Sequence, residues 1–242
     1  MRIRKDLAEA QVHAWRRIGQ PGTWWSAADR VAIAAETRHA AGCPLCQARK
    51  AALSPGLVGG DHSTLGKLSA EAVEAVHRIR TDSGRLGEAW FRRLQGGTLT
   101  DARYVELVAV VVVTVAVDSF RAATDLQPFP LPVPLPGEPT RRRPAGARPG
   151  VAWTDTLLPA DRTEADPDLY REAPGPRERA GANIHLALSL VPESMIQWWD
   201  MFEAMYMPGP WMRDYGHEYR AITHPQMEML AARVAALNRC EY

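Results

Sequence analysis

The stretch "PFPLPVPLPGEPTRRRPAGARPG", residues 128–150, carries eight of the chain's 19 prolines. Proline has no amide hydrogen and a fixed φ, so neither a helix nor a central strand can run through such a segment. It therefore divides the chain. Residues 1–126 read as a first helical unit. Residues 127–182, where Pro-charged texture persists, read as a connecting arm lying over the surface. Residues 183–242 read as a second helical unit. Trp153, Leu157 and Leu158 are the arm's candidate anchors, and Arg141, Arg142 and Arg143 read as a solvated loop.

Helix signals dominate on either side, which makes the expected fold all-α. Ser69 can cap "AEAVEAVHRIR", where Ala72, Val76 and Ile79 share one face. Thr100 can cap a segment from Asp101 to about Thr124. Its valine run favours strand by propensity, but it is too long for one, and Glu106 and Asp118 sit inside it. A central buried helix is the reading, with those two acids as buried partners or site walls. The tryptophan pairs Trp24–Trp25 and Trp198–Trp199 read as core anchors.

Charge and cysteine content narrow the function classes. A formal net charge of +1 favours neither a nucleic acid nor a membrane surface as partner. The longest apolar run, Leu107 to Val117, falls short of the roughly 20 residues that span a bilayer. The charged N-terminus has no apolar core of a secretion signal. Three cysteines, two of them close together, suggest a cytoplasmic protein with thiol chemistry or a metal rather than a disulfide scaffold.

Aligning Cys43 with Cys240 exposes an internal correspondence. Ser26 and Thr223 each lie 17 positions before their cysteine, and each has a capping-box partner three residues on, Asp29 and Gln226. Ala34 and Ala35 fall opposite Ala231 and Ala232. The first copy continues into C-x-x-C at Cys43 and Cys46, whereas the second reaches Cys240 and the sequence ends at Tyr242. The expectation is a duplication of one capped, cysteine-bearing helix.

The segment "MEMLAARVAALNRCEY" resembles the signature helix of the alkylhydroperoxidase D and carboxymuconolactone decarboxylase-like family. There a glutamate precedes a C-x-x-C by a fixed spacing and a histidine follows it. Glu228, twelve positions ahead of Cys240, matches the glutamate, and Cys240 matches the first cysteine. The likeness extends to "TWWSAADRVAIAAETRHAAGCPLC" and "TDARYVELVAVVVVTVAVDSF", roughly a third of the chain in all. In the first copy Val31 stands at the glutamate position and Lys50 at the histidine position, so the family's proton relay does not transfer there. Some members resemble selenoproteins with selenocysteine at the second cysteine, and a UGA codon after Tyr242 is the corresponding expectation for this chain.

The resemblance implies duplicated helical units, thiol- or selenol-dependent reduction of a peroxide substrate, and no bound cofactor. It also implies a dithiol or thioredoxin-like electron donor and a homo-oligomer. Cys240 would resolve and Glu228 would move a proton. A carboxymuconolactone-type scaffold with non-thiol chemistry, or a noncatalytic zinc-stabilised binding protein, are the alternatives.

At the first site the residues leave two geometries open. A helix break at Gly42, with Pro44 opening a new helix, places Cys43 at an N-cap, where free amides stabilise its thiolate. A continuous helix instead puts His39 on the face of Cys43 as a base, with Glu36 one turn earlier. Glu36, His39 and Cys43 form the candidate triad, and which of Cys43 and Cys46 attacks stays open. A zinc site would add His39 or His62 to the two cysteines, although no second C-x-x-C completes a ligand set. Inert packing of small apolar thiols is the remaining alternative. His77 reads as a half-buried helix residue bonding locally, and His185 and His217 are undecided.

Overall fold

A valine-rich helix can be stable only if tertiary burial outweighs its poor intrinsic propensity. The computed structural model, which describes residues 3–95, 97–150, 152–170, 183–238 and 240, shows how this chain arranges it. The last part of the expected arm, 171–182, and the final two residues lie outside that set. The helices are α1 (Lys5–Ile18), α2 (Ala27–Ala40), α3 (Pro44–Ala51), α4 (Ala70–Asp82) and α5 (Glu88–Leu94). After them come α6 (Asp101–Ala123), α7 (Asn183–Leu186), α8 (Pro192–Met205) and α9 (His224–Leu237). Among the described residues there is no multi-residue strand, only one isolated bridge between Arg148 and Thr156. The fold is all-α. No described helix is long and apolar enough to cross a membrane.

Helix α6 is the axis, as its sequence requires. One face gives Leu107, Val110, Val111, Val113 and Val117 to a core shared with α1, α2, α4 and α5. The other face gives Ala102, Val105 and Ala109 to a second cluster with Leu157, Leu190, Met195 and Trp199. Burial on both sides explains why the helix is apolar all round. Its start is fixed by Thr100, whose side chain accepts from the Arg103 amide, and α4 starts the same way on Ser69.

Two charged pairs hold the surroundings of α6. Asp118 takes two hydrogen bonds from Arg38 of α2, both at 2.8 Å. Glu106 is almost wholly buried. Its Oε2 accepts from the Trp24 amide at 2.6 Å, and its Oε1 lies 3.6 Å from Arg30 Nε. Burial pushes the Glu106 carboxyl up, against the pull of Arg30 and the loop amides. Gly22 is the close approach that makes this possible: a Cβ there would sit 1.6 Å from Glu106 Oε1.

The proline arm lies along this body. Its non-proline residues carry the attachment: Leu135 N donates to Gly19 O at 2.8 Å, and Arg141 N donates to Thr23 O at 2.8 Å. Trp15 Nε1 donates to Pro130 O at 2.7 Å. Leu157 is a fully buried anchor, while Trp153 is partly exposed and packs against Phe91. The arginine run is a largely exposed loop, as read from sequence, but it also makes ion pairs. Arg142 pairs with Asp166, and Arg143 pairs with both Asp101 and Asp155. The run bridges acids that the sequence scatters across the arm and the α6 start.

The two capped helices sit in unlike surroundings. Helix α2 has Ile33, Ala34 and Ala40 fully buried. Helix α9 keeps a complete capping box between Thr223 and Gln226, yet Met229, Leu230, Val234 and Leu237 are exposed.

Gly22→Ala should destabilise the protein by about 1–3 kcal/mol, because the new methyl must displace Glu106 from its amide cradle. Gly56→Ala, where a Cβ meets nothing within 4 Å, is the control. Urea unfolding of both variants checks this, with a shifted midpoint expected for the first alone.

Candidate functional site

The chain between α2 and α3 breaks where Gly42 and Pro44 ask it to. Helix α2 ends at Ala40, Cys43 is the N-cap of α3, and Pro44 is its first residue. Of the two geometries open from sequence, the N-cap is the one observed. Cys46 follows within the first turn of α3, and the two cysteines are buried and not disulfide-bonded.

Two histidines meet them from elsewhere. His62, in the loop between α3 and α4, places Nδ1 3.6 Å from Cys43 Sγ and 3.5 Å from Cys46 Sγ. His77, on α4 and with no exposed surface, places Nδ1 3.2 Å from Cys46 Sγ. The ligating atoms of Cys43, Cys46, His62 and His77 all lie within 4.8 Å of one another.

Each imidazole is oriented from behind by a carboxylate. His77 Nε2 is 2.9 Å from Glu36 Oε1, and His62 Nε2 is 2.7 Å from Glu74 Oε2. A carboxylate acceptor makes His77 Nε2 the donor and leaves its Nδ1 as the acceptor that faces Cys46, whereas the protonated His62 ring donates from Nε2 to Glu74 and from Nδ1 to Cys43. The other oxygen of Glu36 accepts from Thr64 Oγ1 and the Leu65 amide, at 3.2 and 3.1 Å, so it also holds the loop. Glu74 accepts from Trp90 Nε1 and Arg49 Nη1, both at 2.9 Å. Arg49 further donates to Val58 O at 3.1 Å, and Arg85 closes the end of α3 by donating to the carbonyls of Arg49, Lys50 and Ala52.

The environments push the two thiols apart. Burial raises the Cys43 thiol, but the Cys46 amide, the His62 ring and the Ser63 amide outweigh it and bring Cys43 down to about 6. Burial dominates at Cys46, and the neighbouring Cys43 adds to it, so that thiol rises to about 11 despite Thr81 and Arg49. For His62, burial favours the neutral ring, yet hydrogen bonds to Glu74 and Cys43 prevail and raise it. Burial also pushes Glu74 up, and its bonds to His62, Trp90 and Arg49 reverse this, to about 2.

The candidate residues from sequence separate accordingly. Glu36, Cys43 and Cys46 come together. His39 turns elsewhere, its Nε2 2.9 Å from Ser63 Oγ, and His77 occupies the place beside Glu36 that the sequence reading gave to His39. His77 is thus not half-buried and does not bond locally. The signal for it was the Glu74–His77–Thr81 spacing, which puts three polar groups on one face of α4. Cys240 is exposed, and Glu228 bonds to Tyr206 Oη and lies 3.3 Å from His224 Nε2. His217 pairs with Asp214 on the surface, and the His185 side chain lies outside the described residues.

No protein-family model matches the chain, and neither a curated protein nor a solved structure does.

In the reduced, metal-stripped protein, thiolate absorbance should rise by one thiolate with a midpoint about 6, and the second buried thiol should titrate only towards about 11. His62→Ala removes a donor to Cys43 and should move the first midpoint up. Glu74, held below its ordinary range, stabilises the fold above the normal carboxylate pKa, and this contribution fades as pH falls towards about 2. Glu74→Gln should therefore lower the unfolding midpoint at neutral pH, with the gap closing in acid.

Proposed function

We propose that the protein is a thiol-dependent oxidoreductase that reduces hydroperoxides, with Cys43 as the attacking and Cys46 as the resolving sulfur. The observation that carries the reading is the buried chain Cys46 Sγ, His77 Nδ1 and Nε2, Glu36 Oε1, with steps of 3.2 and 2.9 Å, beside an N-cap cysteine. Inert packing needs no such relay. The resemblance to alkylhydroperoxidase-type proteins adds only the C-x-x-C pair to this reading, since the family's relay residues are replaced by Val31 and Lys50 here.

The steps follow from the geometry. Cys43 thiolate attacks the terminal oxygen of the hydroperoxide. The O–O bond breaks, and the leaving alkoxide takes a proton from His62 and departs as an alcohol. Cys43 is now a sulfenic acid. Cys46 attacks its sulfur while His77 Nδ1 accepts the thiol proton. The S–O bond breaks, the leaving hydroxide takes that proton from His77 and departs as water, and the Cys43–Cys46 disulfide closes. An external dithiol, expected from a small dithiol or a thioredoxin-like donor, then reduces the disulfide and is itself oxidised. Glu36 is a positioning residue that fixes the His77 tautomer. Both sulfurs lie beneath the loop that carries His62, so entry of the peroxide requires that loop to part.

The family-derived roles of Cys240 and Glu228, the duplicated second site and the homo-oligomer are no part of this reading, which stands on the first site alone.

Cys43→Ser should abolish dithiol-dependent consumption of a hydroperoxide. Cys46→Ser should stop after one turnover with a trapped sulfenic acid. His77→Gln should slow disulfide closure about 100-fold or more while leaving sulfenic acid formation in place. Stopped-flow thiol loss with a sulfenate-specific probe reads all three. Unchanged consumption in the two cysteine variants would point instead to a scaffold with non-thiol chemistry.

A further inference from the structure

Two imidazoles converge on the sulfur pair, and each is backed by its own carboxylate. Each moves a proton in the cycle above, but proton transfer does not require both rings to aim at the same two sulfurs. Such convergence has a second reading. It is the arrangement of a metal site, in which a ligating histidine presents one ring nitrogen to the ion and donates from the other to a carboxylate.

The distances agree. With bonds of about 2.3 Å to sulfur and about 2.0–2.1 Å to imidazole nitrogen, a tetrahedral zinc ion sets sulfur–nitrogen edges of roughly 3.5 Å. Three of the four such edges are 3.6, 3.5 and 3.2 Å, and the fourth, between Cys43 and His77, lies within 4.8 Å. The ligand set is two soft thiolates and two imidazoles, which suits zinc and not the hard cations that take oxygen. Cys43, Cys46 and His77 are closed off from solvent and His62 nearly so, as in sites where protein supplies all four ligands. The spacing is unusual because only the cysteines are sequence neighbours, with a loop and a helix supplying the rest.

We propose that Cys43, Cys46, His62 and His77 bind one zinc ion, and that its presence holds the cysteine pair out of the redox cycle. The inhibitory half rests on the redox reading above; the zinc site itself does not. The physical reason is direct: each sulfur spends its nucleophilic lone pair on the metal, and His62, tied to the metal, keeps the covering loop shut. Removal of the ion returns Cys43 as a thiolate and leaves the loop held by hydrogen bonds such as those to Glu36 and Glu74.

The test uses the full chain, reduced and stripped with a chelator under argon. Cobalt(II) is titrated in, then displaced with zinc. The expected result is one cobalt per chain with a thiolate charge-transfer band and the intense visible bands of tetrahedral cobalt. His62→Ala should weaken binding at least 100-fold. Glu74→Gln, which keeps all four ligands, should weaken it about 10–100-fold. Circular dichroism of each stripped variant confirms its fold. The second measurement is thiol loss under excess cumene hydroperoxide without added reductant, with and without one equivalent of zinc. At least tenfold slower loss with zinc is expected.

No tetrahedral spectrum, or unchanged affinity in both variants, overturns the zinc site whatever the peroxide result. Tetrahedral binding with stripped thiols that resist the peroxide leaves the zinc site standing and overturns the redox reading, and the inhibitory half with it. Tetrahedral binding with peroxide oxidation that zinc does not slow overturns the inhibitory half alone.

Discussion

A carboxylate with no exposed surface needs partners, because an unpaired buried charge costs far more than the fold can spare. Glu36 meets that demand by joining three separated parts of the chain. One oxygen takes His77 of α4, and the other takes Thr64 and Leu65 of the loop. Everything at the site follows from this. The pairing fixes which nitrogen of His77 looks at Cys46, and it holds the loop that brings His62 over Cys43. Without it, α3 would carry two ordinary buried thiols.

Glu106 is the useful contrast. It is equally buried and likewise takes loop amides, but its partner is Arg30, which reaches on to Gln20 O and Gln197 rather than to a thiol. It braces the turn before α2 against α6. The same device, a helix carboxylate collecting loop amides, is structural in one place and feeds a reactive centre in the other. What separates the two is the chemistry of the next residue in line.

Local rules carried well from sequence to structure. Caps at Ser26, Ser69, Thr100 and Thr223 were legible because each depends on residues three apart. The break that makes Cys43 an N-cap was one of two geometries that Gly42 and Pro44 left open, and the triad built on the other, with His39 beside Cys43, is not the one formed. The central helix was legible because its length outweighed valine's strand preference. Long-range pairing was not. His77 looked like an ordinary helix residue, since its two partners lie 31 and 41 positions away. The ion pair of the exposed Arg143 was not legible because Asp101, its main partner, is 42 positions earlier. The match between the Ser26 and Thr223 helices was a match of caps, and caps say how a helix begins, not what it packs against.

The arm that divides the chain has one further property. An apolar extended segment on a protein surface would ordinarily present a row of amides and carbonyls to any other chain that drifts alongside. In residues 128–136 prolines alternate with other residues, so no two successive positions can donate. Leu135 commits its amide inward to Gly19. What remains outward is a ribbon unable to template a neighbouring β-ladder, so the protein can wear greasy, unfolded-looking backbone on its exterior without seeding fibrils.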